Sequence, residues 1–326
     1  MKILVTGGAG FIGSHVVDRL LAAGHEPRIF DVRRSKYHAA GEVDLVLGDL
    51  GDRAALRGAL AGCDAIAHLA AVADVNIVAS NPAEANRVNA EGTFALLEAM
   101  RAVDVGRLLY ASTVWVYGGA SEEEVDEDTP IALPDHVYTA TKLAGEAYCH
   151  SFAQLYGLEQ TILRFGIPYG PRAREATVVP AFVARARAGK AIMIAGDGRQ
   201  SRQFVYVEDL AQGVVAALQP TAAGRVYNLV GDASTTVREI ADTVREIVGD
   251  VPIVHTPERP ADLRIGRVSG VRAAAELGWQ ATTPFVDGVR RYVDWLAETS
   301  GSPVSLAASS TAGSAATVRR QESAEL

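Results

Sequence analysis

The chain has 326 residues, 48% of them apolar, and a formal net charge of −8 from 31 Lys plus Arg against 39 Asp plus Glu. That length holds about two domains or one large α/β unit with a sizeable core, and the acidic balance argues against a nucleic-acid surface. Two cysteines, Cys63 and Cys149, form no disulfide framework, no Cys/His cluster has metal-ligand spacing, and no apolar run reaches the ~18 residues of a membrane span. The first apolar run, Ile3-Leu4-Val5, reads as strand rather than signal peptide, so a cytoplasmic protein without metal or membrane partner is expected.

Lys2 to Thr6 reads as a short buried strand, and Ser14 to Ala23 carries apolar residues at helical spacing. Between them lies Gly7-Gly8-Ala9-Gly10-Phe11-Ile12-Gly13, which fits two registers, Gly7-x-x-Gly10-x-x-Gly13 and Gly8-x-Gly10-x-x-Gly13. Glycines there allow a tight turn, close approach of a pyrophosphate and close helix packing, with a helix N-terminus facing the anion. A second strand, Glu26 to Phe30, ends in Asp31, 18 residues past Gly13. That places a carboxylate where a ribose 2′-hydroxyl is gripped and a 2′-phosphate repelled, which favours NAD. Arg33 and Arg34 leave NADP open, since an arginine there can hold that phosphate.

Farther along, Asp44 to Leu47 reads as strand, Ala54 to Ala61 as helix and Ala65 to Leu69 as strand. His68, at that strand's end, reads as a packed core residue. Pro82 to Arg101 reads as one long helix, Arg107 to Ser112 as strand, Tyr138 to Tyr156 as a second long helix and Gln160 to Phe165 as strand. Such alternation predicts a doubly wound parallel sheet with helices on both faces, a Rossmann-type α/β fold. Asp31, Asp49, Ala70, Thr113 and Phe165 follow strands and so converge on the crevice at the strands' carboxyl ends. From Gly166 the pattern loosens. A helix over Val179 to Ala188, a strand over Gln203 to Val207 and amphipathic helices over Val237 to Val248 and Pro284 to Ala297 suggest a smaller substrate lobe. The expected division is 1–165 cofactor domain, 166–299 substrate lobe with some elements returning to the first domain, and 300–326 disordered tail.

Tyr138 and Lys142 stand four apart, which puts a phenol and an ammonium on one helix face. A fixed cation beside a phenol favours phenolate, so the pair can take a proton from an alcohol and return it.

Taken together, Thr6 to Ser14, Gly48-Asp49-Leu50, His68-Leu69-Ala70-Ala71, Val88-Asn89-x-x-Gly92-Thr93, Ser112-Thr113 through Gly118, Tyr138-x-x-x-Lys142, Tyr169-Gly170-Pro171-Arg172 and Phe204 to Asp209 are ordered like a known pattern. The chain resembles the extended short-chain dehydrogenase/reductases, and within them the NAD-dependent NDP-sugar epimerase/dehydratase group typified by UDP-galactose 4-epimerase. The resemblance implies that Tyr138 takes the proton from a sugar O4, that Lys142 holds the nicotinamide ribose and lowers the tyrosine pKa, and that Thr113 hydrogen-bonds the same oxygen. It implies cofactor contacts from Gly7, Gly10, Phe11, Ile12, Gly13, Asp31, Arg33, Asp49, Leu50, Leu69, Ala70, Ala71, Asn89, Phe165 and the Tyr138/Lys142 pair. It implies substrate contacts from Thr113, Tyr138, Ile167, Arg202 and Arg259, the arginines clamping a diphosphate. A homodimer through the two long helices is also implied.

The chain departs from this pattern at two places that bear on the reaction. Dehydratases of the group carry Asp-Glu after the catalytic Thr, and decarboxylating relatives keep the Glu; here Val114 and Trp115 stand there. Neither is an acid or base, so both reactions are disfavoured. Ile167 stands where an Asn usually touches substrate. The expected activity is C4 epimerisation of a UDP- or dTDP-linked hexose or uronate. The rivals are a 4-ketoreductase with exchangeable NAD(P)H and a cofactor-binding regulator without turnover.

Overall fold

The structure, a computed structural model, describes residues 1–120, 122–257 and 266–300. Arg259 and the expected tail beyond Ser300 lie outside the described residues. In the first half, β1 (Lys2–Thr6), α1 (Phe11–Ala22), β2 (Glu26–Asp31), β3 (Asp44–Leu47), α2 (Arg53–Leu60) and β4 (Ala65–His68) lead to two short helices, α3 (Val75–Ser80) and α4 (Pro82–Asn86). A π turn at Arg87–Glu91 carries α4 into α5 (Gly92–Ala102). Then come β5 (Arg107–Thr113), a 3₁₀ turn at Val114–Tyr117, β6 (Glu124–Val125), α6 (Val137–Tyr156) and β7 (Glu159–Phe165). The second half holds β8 (Ile167–Tyr169), α7 (Val178–Arg187), β9 (Ile192–Ala195), β10 (Ser201–Tyr206), α8 (Val207–Ala216), β11 (Val226–Leu229), β12 (Ser234–Thr236), α9 (Val237–Val248), β13 (Ile253–Thr256), β14 (Arg267–Val268), α10 (Val271–Leu277) and α11 (Phe285–Ser300).

Seven strands form one parallel sheet in the order β11-β7-β5-β4-β1-β2-β3. The chain winds from β1 outward through β2 and β3, then returns to β4 on the other side, so the winding direction reverses between β1 and β4. Ligands of such sheets bind outside the carboxyl ends of the strands at that reversal. Alternation along the strands feeds both faces. Ile3, Val5, Ile29 and Leu109 join the core under α1 and α8, whereas Leu4, Phe30, Ile66 and Leu108 join the core under α2, α5 and α6. Burying one such side chain is worth roughly 1.5–3 kcal/mol, and a one-residue slip would turn each strand inside out. A third core joins β9 and β10 to α7, α9 and α11 through Val183, Ile194, Ile240 and Tyr292.

Three of the differences from the sequence expectation bear on the sheet and its helices. The helix expected over 82–101 is interrupted by the π turn, which buries Asn89. β11, the sheet's outer strand, was not expected as a strand. Neither was α8, which packs on α1 and whose Gly213 lies so close to Trp279 that an added Cβ would come within 2.9 Å. No described helix is long and apolar enough to cross a membrane.

Candidate functional site

The glycine loop is shaped by backbone proximity. Gly7 adopts φ +71°, donates its N–H to Phe30 O at 2.9 Å, and lies so near Ala70 that an added Cβ would come within 2.8 Å of its backbone. A Cβ on Gly13 would sit 2.2 Å from Gly7 O. Gly10 caps α1 without a side chain, which leaves the first-turn N–H groups of Phe11, Ile12 and Gly13 for an anion. At the end of β2, Asp31 accepts from Ala9 N at 3.1 Å and Arg33 N at 3.2 Å, so its carboxylate is fixed at the rim of this loop. This is a cradle that side chains would fill, and it fits a dinucleotide pyrophosphate with a ribose beside Asp31.

Asp49 accepts a fork from Arg87 at 2.7 and 3.1 Å, and that bond holds its carboxyl below the usual range. Leu50 is buried against Gly92, so this corner is tied to the π turn. Leu69 donates its N–H to Thr6 O at 3.1 Å, and Ala70 donates to Thr6 Oγ1 at 3.3 Å. The Thr93 hydroxyl donates to Asn89 O at 2.6 Å, so its oxygen accepts from His68 Nε2 at 2.9 Å. His68 Nδ1 then accepts from the Thr6 hydroxyl at 2.6 Å, and the ring is neutral: burial, helped by Lys142, lowers its pKa to about 3. Asn89 binds both Val72 N (2.8 Å) and Val72 O (3.0 Å), and donates to Thr141 Oγ1 at 3.0 Å. One hydrogen-bonded brace therefore runs from the strand ends beside the glycine loop, through the π turn, to α6.

On α6 stand Tyr138 and Lys142. The Tyr138 phenol hydrogen-bonds the Thr113 hydroxyl; burial pushes its pKa up to about 12, against the downward pull of Arg174 and of Thr113. Lys142 is 3% exposed, and its ammonium lies 4.4 Å from the centroid of the Tyr110 ring. Burial brings its pKa down to about 8, opposed by Cys149 and Glu146. The expectation that Lys142 lowers the tyrosine pKa is thus corrected. Burial dominates the phenol, and the cation that acts on it is Arg174. Thr113, the last residue of β5, accepts from Trp115 N at 3.2 Å, which keeps its own proton available to Tyr138 or a ligand oxygen.

Behind these residues, Glu146 takes the Ser112 hydroxyl and a fork from Arg164 at 3.1 and 2.8 Å. Arg164 also donates to Tyr117 Oη at 2.8 Å, and Tyr117 to Asn228 Oδ1 at 2.8 Å. Sequence reasoning did not single out Glu146, although its place four residues past Lys142 on the same helix face was a usable signal. Nor did it foresee the part played by Arg174, which no spacing marks.

Past Trp115, which packs on Tyr138, opens a cavity of about 250 Å³ lined by Val114, Trp115, Ile167, Ser201, Arg202, Gln203, Ser234, Gly266, Arg267 and Val268. Ile167 and Arg202, both expected substrate contacts, meet there. Phe165 is the buried last residue of β7, two residues before Ile167. The Trp115 indole stands edge to face against Tyr138, with centroids 6.0 Å apart and planes at 88°.

Residues 3–230 match the NAD dependent epimerase/dehydratase family. The chain is 36% identical to the UDP-glucose 4-epimerase of Mycolicibacterium smegmatis, over 90% of this chain and 98% of that protein. It is 32% identical to the dTDP-glucose 4,6-dehydratase of Streptomyces niveus, over 90% and 92%. The crystal structure of Thermus thermophilus UDP-glucose 4-epimerase in complex with NAD superposes with a TM-score of 0.83 at 34% identity, covering 90% of this chain and 98% of that one.

Proposed function

The chain belongs to the NAD-dependent epimerase/dehydratase family, and from that premise we propose that it inverts C4 of a UDP- or dTDP-linked hexose or uronate through a transient 4-keto sugar. NAD, when bound, supplies the hydride acceptor and donor for the redox step. Gly7, Gly10, Gly13 and the first turn of α1 would hold its pyrophosphate, Asp31 its adenosine ribose and Lys142 its nicotinamide ribose. Tyr138 is the base that takes the O4 proton and the acid that returns it, and the Thr113 hydroxyl orients the same oxygen. Arg174 is the cation that favours the phenolate against its burial, with the Thr113 hydrogen bond acting the same way. Arg202, with Arg259, would meet the diphosphate.

One observation favours inversion over elimination: none of the described residues lining the cavity is a carboxylate. Dehydration or decarboxylation of the 4-keto sugar calls for an acid or base beyond Tyr138, and the residues next to Thr113 are Val114 and Trp115. Purified protein mixed with a panel of NDP-hexoses and NDP-uronates, and followed by NMR, should interconvert C4 epimers without added cofactor. No inversion across the panel would overturn the proposal. Steady absorbance change at 340 nm with a 4-keto sugar would replace it by a ketoreductase.

A homodimer through α5 and α6 is part of the same proposal. These helices carry an aromatic strip in which Phe94 meets Tyr148 and Phe152, with centroids 5.4 and 5.7 Å away, and Leu155 and Tyr156 are exposed at its end. Light scattering after size-exclusion chromatography reads the mass directly.

A further inference from the structure

We infer that Trp115 decides which sugars the site takes: its indole selects a compact, uncharged exocyclic group on the carbon next to the reacting one and rejects a carboxylate there. This rests on the C4 reading above. Trp115 is held on three sides. Its ring meets Tyr138 at 6.0 Å and His136 at 6.2 Å, both near perpendicular, and its backbone N–H is bonded to Thr113 Oγ1 at 3.2 Å. His136 is itself fixed, because its Nδ1 accepts from Tyr138 N at 3.1 Å.

Trp115 lines two spaces at once, the cavity of about 250 Å³ and a chamber of about 10 Å³ bounded by Gly118, Pro134, Asp135, His136 and Thr139. The indole is the partition between them. The chamber behind it holds one unanswered polar atom: Thr139 Oγ1 is buried and has no hydrogen-bond partner among the described residues. On the cavity side, Val114, Trp115 and Ile167 make an apolar wall. The polar residues come from other strands, and the Gln203 amide is already committed to Gly231 O and to Val268 N and O. Ile167 pairs with Phe204, so Arg202 lies two residues, or about 6.6 Å, back along β10.

A hexopyranose with O4 on Tyr138 carries its exocyclic carbon on C5, next to the reacting C4 and therefore within reach of the ring packed on Tyr138. A methyl or hydroxymethyl group gains apolar contact with the indole. A carboxylate loses water against Val114, Trp115 and Ile167, and the arginines of the cavity, Arg202 and Arg267, stand on β10 and β14 rather than in that wall, which is the repulsive half of specificity.

UDP-glucose and UDP-glucuronate differ only in oxidation at C6 and serve as probes. Binding by calorimetry to the NAD-loaded protein, alongside C4 inversion by NMR, should favour the hexose by about a hundredfold. Trp115→Thr, which removes the partition and adds a hydroxyl, should cut that preference to about tenfold or less, while Trp115→Phe retains it. Equal or stronger binding of the uronate by the unmodified protein would overturn the inference. So would undiminished preference in a Trp115→Thr variant that still folds and binds NAD. If the binding preference appears but neither sugar is inverted, the C4 reading falls and this one stands. Inversion of both sugars with no preference sinks this one alone.

Discussion

Asn89 reaches across 52 residues of chain to donate its side-chain amide to the Thr141 hydroxyl at 3.0 Å. Thr141 in turn donates to Tyr138 O at 2.7 Å, so the first turns of α6 are bonded to the segment after β4. A regular helix would not bury an amide at this point; the π turn, with its extra residue, rotates Asn89 inward, as such turns often do at working sites.

Replacing Asn89 by Leu keeps the volume and deletes three hydrogen bonds, leaving the Val72 amide groups and the buried Thr141 hydroxyl to find other partners. The expected cost is about 2–4 kcal/mol in urea unfolding, with weaker NAD binding because the segment at Ala70 and Ala71 loses its support. Unchanged NAD affinity in calorimetry would show that the brace is structural only.

Two glycines separate tight packing from open space. Gly13→Ala puts a methyl carbon 2.2 Å from Gly7 O, where only backbone movement relieves the overlap. NAD binding should be lost even where the far-UV spectrum stays native. Gly58, inside α2, has no atom within 4 Å of an added Cβ. Gly58→Ala should therefore stabilise the protein by about 0.5–1 kcal/mol without touching NAD binding. Opposite signs in paired thermal melts and NAD titrations check both.

His68 predicts a pH dependence of stability. Its folded-state pKa is lowered to about 3 from the ordinary 6.5 of an imidazole, first by burial and then by Lys142. The unfolded chain therefore binds a proton more readily between those values. The stabilisation is complete above the ordinary imidazole range and is lost as pH falls toward 3, at about 1.4 kcal/mol per pH unit for a full proton. Gln in its place can accept from Thr6 and donate to Thr93 without titrating. Urea midpoints at pH 7, 6 and 5 should fall less for His68→Gln than for the parent; parallel slopes would assign the acid sensitivity elsewhere.

The central sheet was legible because its strands are short apolar runs bounded by glycine and acid, with helices of clear period between them. β11 was not, because Val226–Leu229 carries a buried Asn228 whose side-chain amide pairs with Tyr117 and Ser269, far away in sequence. α8 escaped for a different reason: its buried face mixes Val207, Leu210 and Val214 with Ala211, Gly213 and a buried Asp209, which interrupts the apolar stripe. At the site, the four-residue spacing of Tyr138 and Lys142 was readable, but the direction of each pKa was not. Spacing says which charges are near, whereas burial, which decides here, follows from the whole fold. The meeting of Trp115 with Tyr138 depends on the 3₁₀ turn that follows Thr113 and has no periodic signature.

Tyr138→Phe isolates proton transfer from architecture. The ring contact with Trp115 and the helix remain, and the bond lost among the described residues is that of the hydroxyl to Thr113. Turnover should drop by about 10²–10⁴-fold, the usual contribution of a positioned acid–base group, while NAD affinity and the melting temperature stay close to the parent's. The pH profile carries the sharper test. With a phenol raised by burial to about 12, the basic form is scarce at neutral pH, so parent turnover should climb as pH rises. In the Phe variant the residual rate should lose that climb. A variant that keeps both the rate and the slope would transfer the base role to another residue, and Lys142, whose own value is lowered to about 8, would be the next to replace.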